Sequence, residues 1–127
     1  ITGLVGSEMC IRDSVLMSTV AVQRGMPFHS SVAASKGAIE GLTKSLAAEY
    51  APKVRVNAVA PSIVDTPLAN RFLNNELKVE KSAQKHPLKR IGQASDIADI
   101  IKFLLSEKSS WMTGQIIGVD GGTSTLS

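Results

Sequence analysis

The chain has 127 residues, a hydrophobic content of 43% and a formal net charge of +3 at pH 7. That is enough for one modest core and too little for two domains. Its Lys and Arg residues are scattered, mostly with carboxylates between them, and only 4% of residues are aromatic, which argues against a nucleic-acid-binding surface.

Residues 1–14 (Ile1 to Ser14) do not match the pattern of the rest of the chain. They read as a non-native junction, such as sequencing read-through, or as a divergent N-terminal tail, with the domain proper expected over residues 15–127. The single cysteine, Cys10, cannot form an internal disulfide, and no spacing of His, Cys, Asp or Glu suits a metal ion. A reducing, cytoplasmic location is expected. No apolar run approaches membrane-spanning length and no signal peptide is legible.

Val15 to Ser18 is a short apolar run that predicts a buried parallel strand. Residues 20–30 carry Gly25 and Pro27 and predict a loop. From about Ser31 to Tyr50 the residues favour a helix, with Ser30 or Ser31 as N-cap and Pro52 beyond its end. Ile39, Leu42, Leu46 and Tyr50 predict one apolar face, and the small residues Ala33, Gly37, Gly41 and Ser45 predict a close approach on another.

Val54 to Ala60 alternates and then turns apolar, which predicts a second strand stopped by Pro61 and Ser62. Residues 68–90 are charged and weakly patterned. One or two short helices are expected there, with Leu68, Phe72, Leu73 and Leu77 as buried contacts. Ser95 is expected to cap a helix in which Ile97, Ile100, Ile101, Leu104 and Leu105 follow the cleanest amphipathic spacing in the chain. Gln115 to Val119 predicts a third strand, and Asp120-Gly121-Gly122 a turn. Strand, helix, strand, helix, strand implies an α/β chain: three parallel strands with right-handed crossover helices. Three strands alone would leave a raw edge, so the pattern describes part of a doubly wound sheet.

Five segments resemble the second half of the short-chain dehydrogenase/reductases. They are Met17 to Ala21, Ala34 to Ala38, Val54 to Pro61, Pro87 to Gly92, and Thr113 to Gln115 with Val119 to Gly122. The resemblance runs from Val15 to the C-terminus and implies the C-terminal half of a Rossmann-type domain of roughly twice this length, enoyl-acyl-carrier-protein-reductase-like in this region. It implies an oxidoreductase that uses NAD or NADP on a small alcohol or carbonyl substrate. The glycine-rich phosphate loop of such a domain is absent here: its glycines would fall at positions 3, 7 and 9, where the chain has Gly3, Ser7 and Met9. The 127-residue chain by itself is therefore expected to be inactive and to bind no dinucleotide tightly.

The family's catalytic tyrosine lies four residues before its lysine. Here the lysine position is Lys36 and the tyrosine position is Val32, which has no ionisable group. By resemblance Lys36 bonds the nicotinamide ribose hydroxyls; the bland reading is a solvated helix lysine. Thr19, 13 positions before Val32, takes the place of the substrate-binding serine, or it simply ends a buried strand. Pro61, Ser62, Val64 and Thr66 fall in the segment that caps the nicotinamide, with Ser62 in place of the usual glycine. Phe28, His29, Leu68 and Phe72 would flank the substrate. His29 is also a candidate substitute acid, or a plain loop histidine. His86 receives no role. Asn57 is expected to tie backbone groups between strands. Trp111 is expected either at an interface or in the core. By resemblance, the helix over residues 31–50 would pack against its mate in a homodimer, and the last helix and strand would build a homotetramer. No nucleic-acid or membrane partner is expected. The alternative to an oxidoreductase with altered proton delivery is a non-catalytic nucleotide-binding or oligomer-forming protein.

Overall fold

The computed structural model describes residues 13–126. The expectations for residues 1–12, including Cys10 and the comparison of Gly3, Ser7 and Met9 with a phosphate loop, lie outside them. In chain order the elements are β1 (Asp13–Met17), α1 (Val20–Gln23), α2 (Ser30–Tyr50), β2 (Arg55–Pro61), β3 (Val64–Asp65), a 3-10 turn (Pro67–Phe72), α3 (Glu76–Gln84), β4 (Gly92–Gln93), α4 (Ala94–Leu104), a second 3-10 turn (Glu107–Ser109), β5 (Ile116–Val119) and α5 (Thr123–Leu126).

The three expected strands form one parallel sheet in the order β1-β2-β5. Asp13 pairs with Arg55, Met17 with Val59, Ala58 with Ile116 and Pro61 with Val119. β1 thus begins at Asp13, two residues before the domain start expected from sequence. In the central strand β2, Val56, Asn57, Ala58, Val59 and Ala60 are all buried. Small and β-branched side chains suit a strand covered on both faces. The buried Asn57 is held as expected: its Nδ2 donates to Met112 O at 3.2 Å and its Oδ1 accepts from Gln115 N at 3.1 Å. A second parallel pair, β3 with β4, was not foreseen; it joins Val64 to Gly92 and Asp65 to Gln93.

α2 seats on the sheet by a different face from the one predicted. Glu40, Thr43 and Ala47 are buried, whereas Leu42 and Tyr50 are 45% and 49% exposed. The reason is local polar pairing: the Ser18 hydroxyl donates to Glu40 Oε2, and Gln23 Nε2 donates to Glu40 Oε1 at 2.6 Å. With its carboxylate satisfied, Glu40 can turn inward. On the expected small-residue stripe, a Cβ at Gly37 would lie 3.9 Å from Val22 of α1, but one at Gly41 would meet nothing within 4 Å.

The caps also differ from expectation. The N-cap of α2 is His29, and Ser30 and Ser31 lie inside the first turn. The N-cap of α4 is Gln93 rather than Ser95, and Asp96 Oδ2 accepts from Gln93 N at 2.7 Å, the reach-back arm of a capping box. Residues 20–30 are not all loop, since Val20–Gln23 is helical. Of the four apolar contacts expected in residues 68–77, only Leu73 is buried; Leu68 is 90% exposed. Trp111 is 99% exposed, so it does not fill the core. At the opposite end of the sheet, Arg55 Nη1 bonds Ser109 O, Ser109 Oγ and Met112 O at 2.5, 2.7 and 3.3 Å. Its Nη2 bonds Asp13 Oδ2, Leu104 O and Ser106 O at 2.7, 3.3 and 3.0 Å. Among the described residues no helix is long and apolar enough to cross a membrane.

Candidate functional site

In an open parallel sheet, ligands bind beyond the carboxyl ends of the strands. Thr19 follows β1, the segment 61–66 ends and follows β2, and Asp120-Gly121-Gly122 follow β5. Lys36 enters the same rim from α2: its Nζ donates to Met17 O, the last residue of β1, at 3.1 Å. An ammonium has three N–H donors. The other two on Lys36 meet no partner among the described residues. The lysine is therefore positioned by the strand end, with two N–H donors uncommitted.

Thr19 does not end the strand. It is the N-cap of α1, and its Oγ1 lies 3.4 Å from Ala21 N, which donates to it. The hydroxyl proton stays available for a carbonyl oxygen. Val32 sits one turn before Lys36 on the same helix face and is 44% exposed. Phe28 has φ of 63° and is fully exposed. His29 Nδ1 lies 2.8 Å from Pro27 O. A carbonyl only accepts, so Nδ1 carries the proton, and a neutral ring presents a lone pair at Nε2.

The segment 61–66 is braced from three sides. Ser62 N donates to Val119 O at 3.4 Å, Gly92 N donates to Ile63 O at 3.1 Å, and Ser62 Oγ lies 2.9 Å from His86 Nε2. A Cβ at Gly92 would stand 3.2 Å from Val64 Cγ2, so the close approach of β4 to β3 depends on that glycine. Thr66 caps the following 3-10 turn, with its Oγ1 accepting from Ala69 N at 3.3 Å. His86 is 5% exposed and lies where sequence reasoning assigned no role. A histidine next to proline in a charged segment gave no local sign of burial.

Ser62 and His86 line a crevice of about 150 Å³ together with Leu88, Arg90 and Asp120. Arg90 Nη1 and Asp96 Oδ2 stand 2.7 Å apart beside it. The Arg90 guanidinium and then the Gln93 N–H hold the Asp96 carboxyl down to about 2. A larger cleft of about 550 Å³ lies along α2 and β5, lined by Gln23, Glu40, Lys44, Gln115, Asp120 and Ser124 among others. None of the expected site residues lines this larger cleft. Its chemistry is that of a polar surface groove, and the strand-end rim is the better candidate because the ends of β1, β2 and β5 and the Lys36 ammonium lie there. Phe28, Leu68 and Phe72, expected around the substrate, are at least half exposed and line neither cleft. No group of three or more His, Cys, Asp or Glu among the described residues is placed to hold a metal ion.

The family model described as Enoyl-(Acyl carrier protein) reductase matches residues 12–124. L-xylulose reductase of Bos taurus is 41% identical over 109 residues, which cover 85% of this chain and 45% of that protein. The 3-oxoacyl-acyl-carrier-protein reductase FabG of Thermotoga maritima is also 41% identical over 109 residues, covering 85% of this chain and 44% of its own length. A short-chain dehydrogenase/reductase from Brucella melitensis superposes with a TM-score of 0.81 at 38% identity, over 87% of this chain and 44% of that one. A 4-hydroxyisoleucine dehydrogenase complexed with NADH gives 0.84 at 27% identity, over 96% of this chain and 50% of that one. The chain spans about half the length of the proteins it matches. The parallel sheet and these matches agree: the chain belongs to the short-chain dehydrogenase/reductase family.

Proposed function

We propose that the intact protein carrying this chain is an NAD(P)-dependent oxidoreductase that interconverts a small alcohol and its carbonyl without a tyrosine as proton donor. The observation that carries this reading is the rim beyond β1, where Lys36 is anchored on Met17 O with two N–H donors to spare, next to Thr19. Two spare donors on a fixed ammonium fit a ribose diol. When bound, the nicotinamide would supply the hydride chemistry. In this reading Lys36 holds the ribose hydroxyls, main-chain groups near Val64 and the Thr66 hydroxyl hold the carboxamide, and Pro61 and Ser62 flank the ring. Thr19 donates its hydroxyl proton to the substrate oxygen. The segment after Thr66, with Phe28, His29, Leu68 and Phe72, lies toward the substrate.

Val32 cannot donate, so the proton comes from water or from His29. With Nδ1 committed to Pro27 O, His29 donates from Nε2 only as the imidazolium. We further propose a homodimer or homotetramer in the cytoplasm and a domain that starts near residue 15.

The test is Val32→Tyr in the intact protein, assayed with a panel of ketones and either nucleotide. General acid catalysis contributes about 10²–10⁴-fold. A gain of about 10²-fold or more is expected if the rest of the site is assembled for chemistry. Val32 also favours a second reading, a nucleotide-binding or oligomer-forming protein without catalysis. No gain, with nucleotide still bound, would establish that reading instead.

A further inference from the structure

We propose that His86 is a positioning residue for the segment 61–66 and that Ser62 is the group through which it acts; this rests on the reading that the segment faces the nicotinamide. The two residues lie 24 positions apart, and their side chains meet at 2.9 Å. His86 Nδ1 is 2.7 Å from Ser82 O. That carbonyl can only accept, so Nδ1 carries the proton. The neutral ring then offers its Nε2 lone pair to the Ser62 hydroxyl, which donates. The orientation is therefore dictated by the turn that ends α3.

The ring has little freedom. A Cβ on Gly121 would lie 3.4 Å from His86 Cβ and 3.5 Å from Cδ2, and Gly121 has φ of +62°. Those are ordinary van der Waals contacts, so the imidazole packs against this turn, and it is the left-handed backbone that favours glycine there. On the main chain, Lys89 N donates to His86 O at 2.8 Å and Leu88 N donates to Gly121 O at 3.2 Å. Three stretches of chain thus converge on one imidazole: the end of β2, the turn after α3 and the turn after β5. At 5% exposure, an unpaired Nε2 would cost free energy that water could not restore. The serine at position 62 supplies the missing partner. A glycine there would leave the imidazole unsatisfied and remove one of the three braces on the segment 61–66.

The experiment uses the intact protein and has two arms. Nitrogen-15 NMR of the nucleotide-free protein reads the His86 tautomer, which is expected to be Nδ1–H with an unprotonated Nε2. Fluorescence titration with NADH and NADPH then compares wild type with Ser62→Ala, His86→Leu, His86→Gln and the double variant Ser62→Ala/His86→Leu. Loss of one such hydrogen bond corresponds to about fivefold in affinity. Ser62→Ala and His86→Leu should each weaken binding by about that factor, and the double variant should be no weaker than His86→Leu alone. His86→Gln, whose amide oxygen can accept from Ser62, should recover most of the loss. A purely structural role would not discriminate Gln from Leu in this way. The proposal is overturned by an Nε2–H tautomer, by unchanged affinity in Ser62→Ala, by additive losses, or by His86→Gln behaving as His86→Leu. Wild type that binds neither nucleotide would overturn the functional reading and the positioning role with it. Wild type that binds while Ser62→Ala is silent would overturn the positioning role alone.

Discussion

Removing the Asn57 side chain should be among the costliest single changes in this fold. Asn57 is 1% exposed and splices β2 to the run that enters β5, donating to Met112 O and accepting from Gln115 N. Asn57→Ala leaves that carbonyl and that N–H facing a methyl group, with no room for bulk water. Each orphaned group costs about 1–3 kcal/mol, so the sum is about 2–6 kcal/mol. Asn57→Asp keeps the acceptor for Gln115 N but sets a second oxygen against Met112 O. Its carboxyl pKa is then raised by burial and by the carbonyl, so this variant should be least stable at pH 7 and recover toward pH 4, where a protonated carboxyl can donate. Thr113→Val serves as the scale, since it orphans one buried group instead of two, Val56 N at 3.1 Å, and should cost about 1–3 kcal/mol. Urea denaturation of the intact protein, monitored by circular dichroism at both pH values, measures all three. A loss below about 1 kcal/mol for Asn57→Ala, with an unchanged denaturant slope, would refute the reasoning.

Two further outcomes rest on the same physics. The folded-state pKa of Asp96, about 2, lies below the unfolded value of 3.8, so its bonds to Arg90 and Gln93 N stabilise fully above about pH 4 and fade as pH falls toward 2. The melting-temperature gap between wild type and Asp96→Asn should therefore be constant from pH 7 to 5 and shrink below pH 4; a gap that widens on acidification contradicts the assignment. Gly122→Ala puts a Cβ 3.0 Å from Leu126 Cδ1 and 3.2 Å from Pro87 at φ of +88°, which should cost about 1–3 kcal/mol. An unchanged melting temperature would mean that the turn after β5 can relax.

The sheet was legible because its signals are local. The run Val54 to Ala60, alternating and then apolar, reads as a buried strand, and Ile97, Ile100, Ile101 and Leu104 describe one helical stripe. What escaped was set by partners far away in sequence. Glu40 is charged and sits beside an apolar stripe, so nothing near it announces burial; Ser18 and Gln23, about twenty residues back, decide that. Ser62 read only as a replacement for glycine because its acceptor, His86, lies beyond a whole helix. Ser95 looked like a cap by residue type, but Asp96 reaches back to Gln93 N and starts the helix earlier. Lys36 and Thr19 were found by resemblance alone. Their spacing does not reveal that one is anchored on a strand carbonyl and the other caps a short helix.

Arg55 has a consequence for motion. Its guanidinium joins the first residue of β2 to the last carbonyls of α4, to the turn at Ser109 and to Asp13 at the start of β1. None of these can detach without stranding a half-buried cation or several carbonyls at once. The base of the sheet therefore opens as a unit rather than fraying. Amide hydrogens near Asp13, Arg55 and Leu104 should exchange with deuterium at a shared, slow rate. The segments around Phe28 and Leu68, which lack such a hub, should exchange independently and faster. The scaffold is locked at one end of its strands and adaptable at the other, the end where a ligand would arrive.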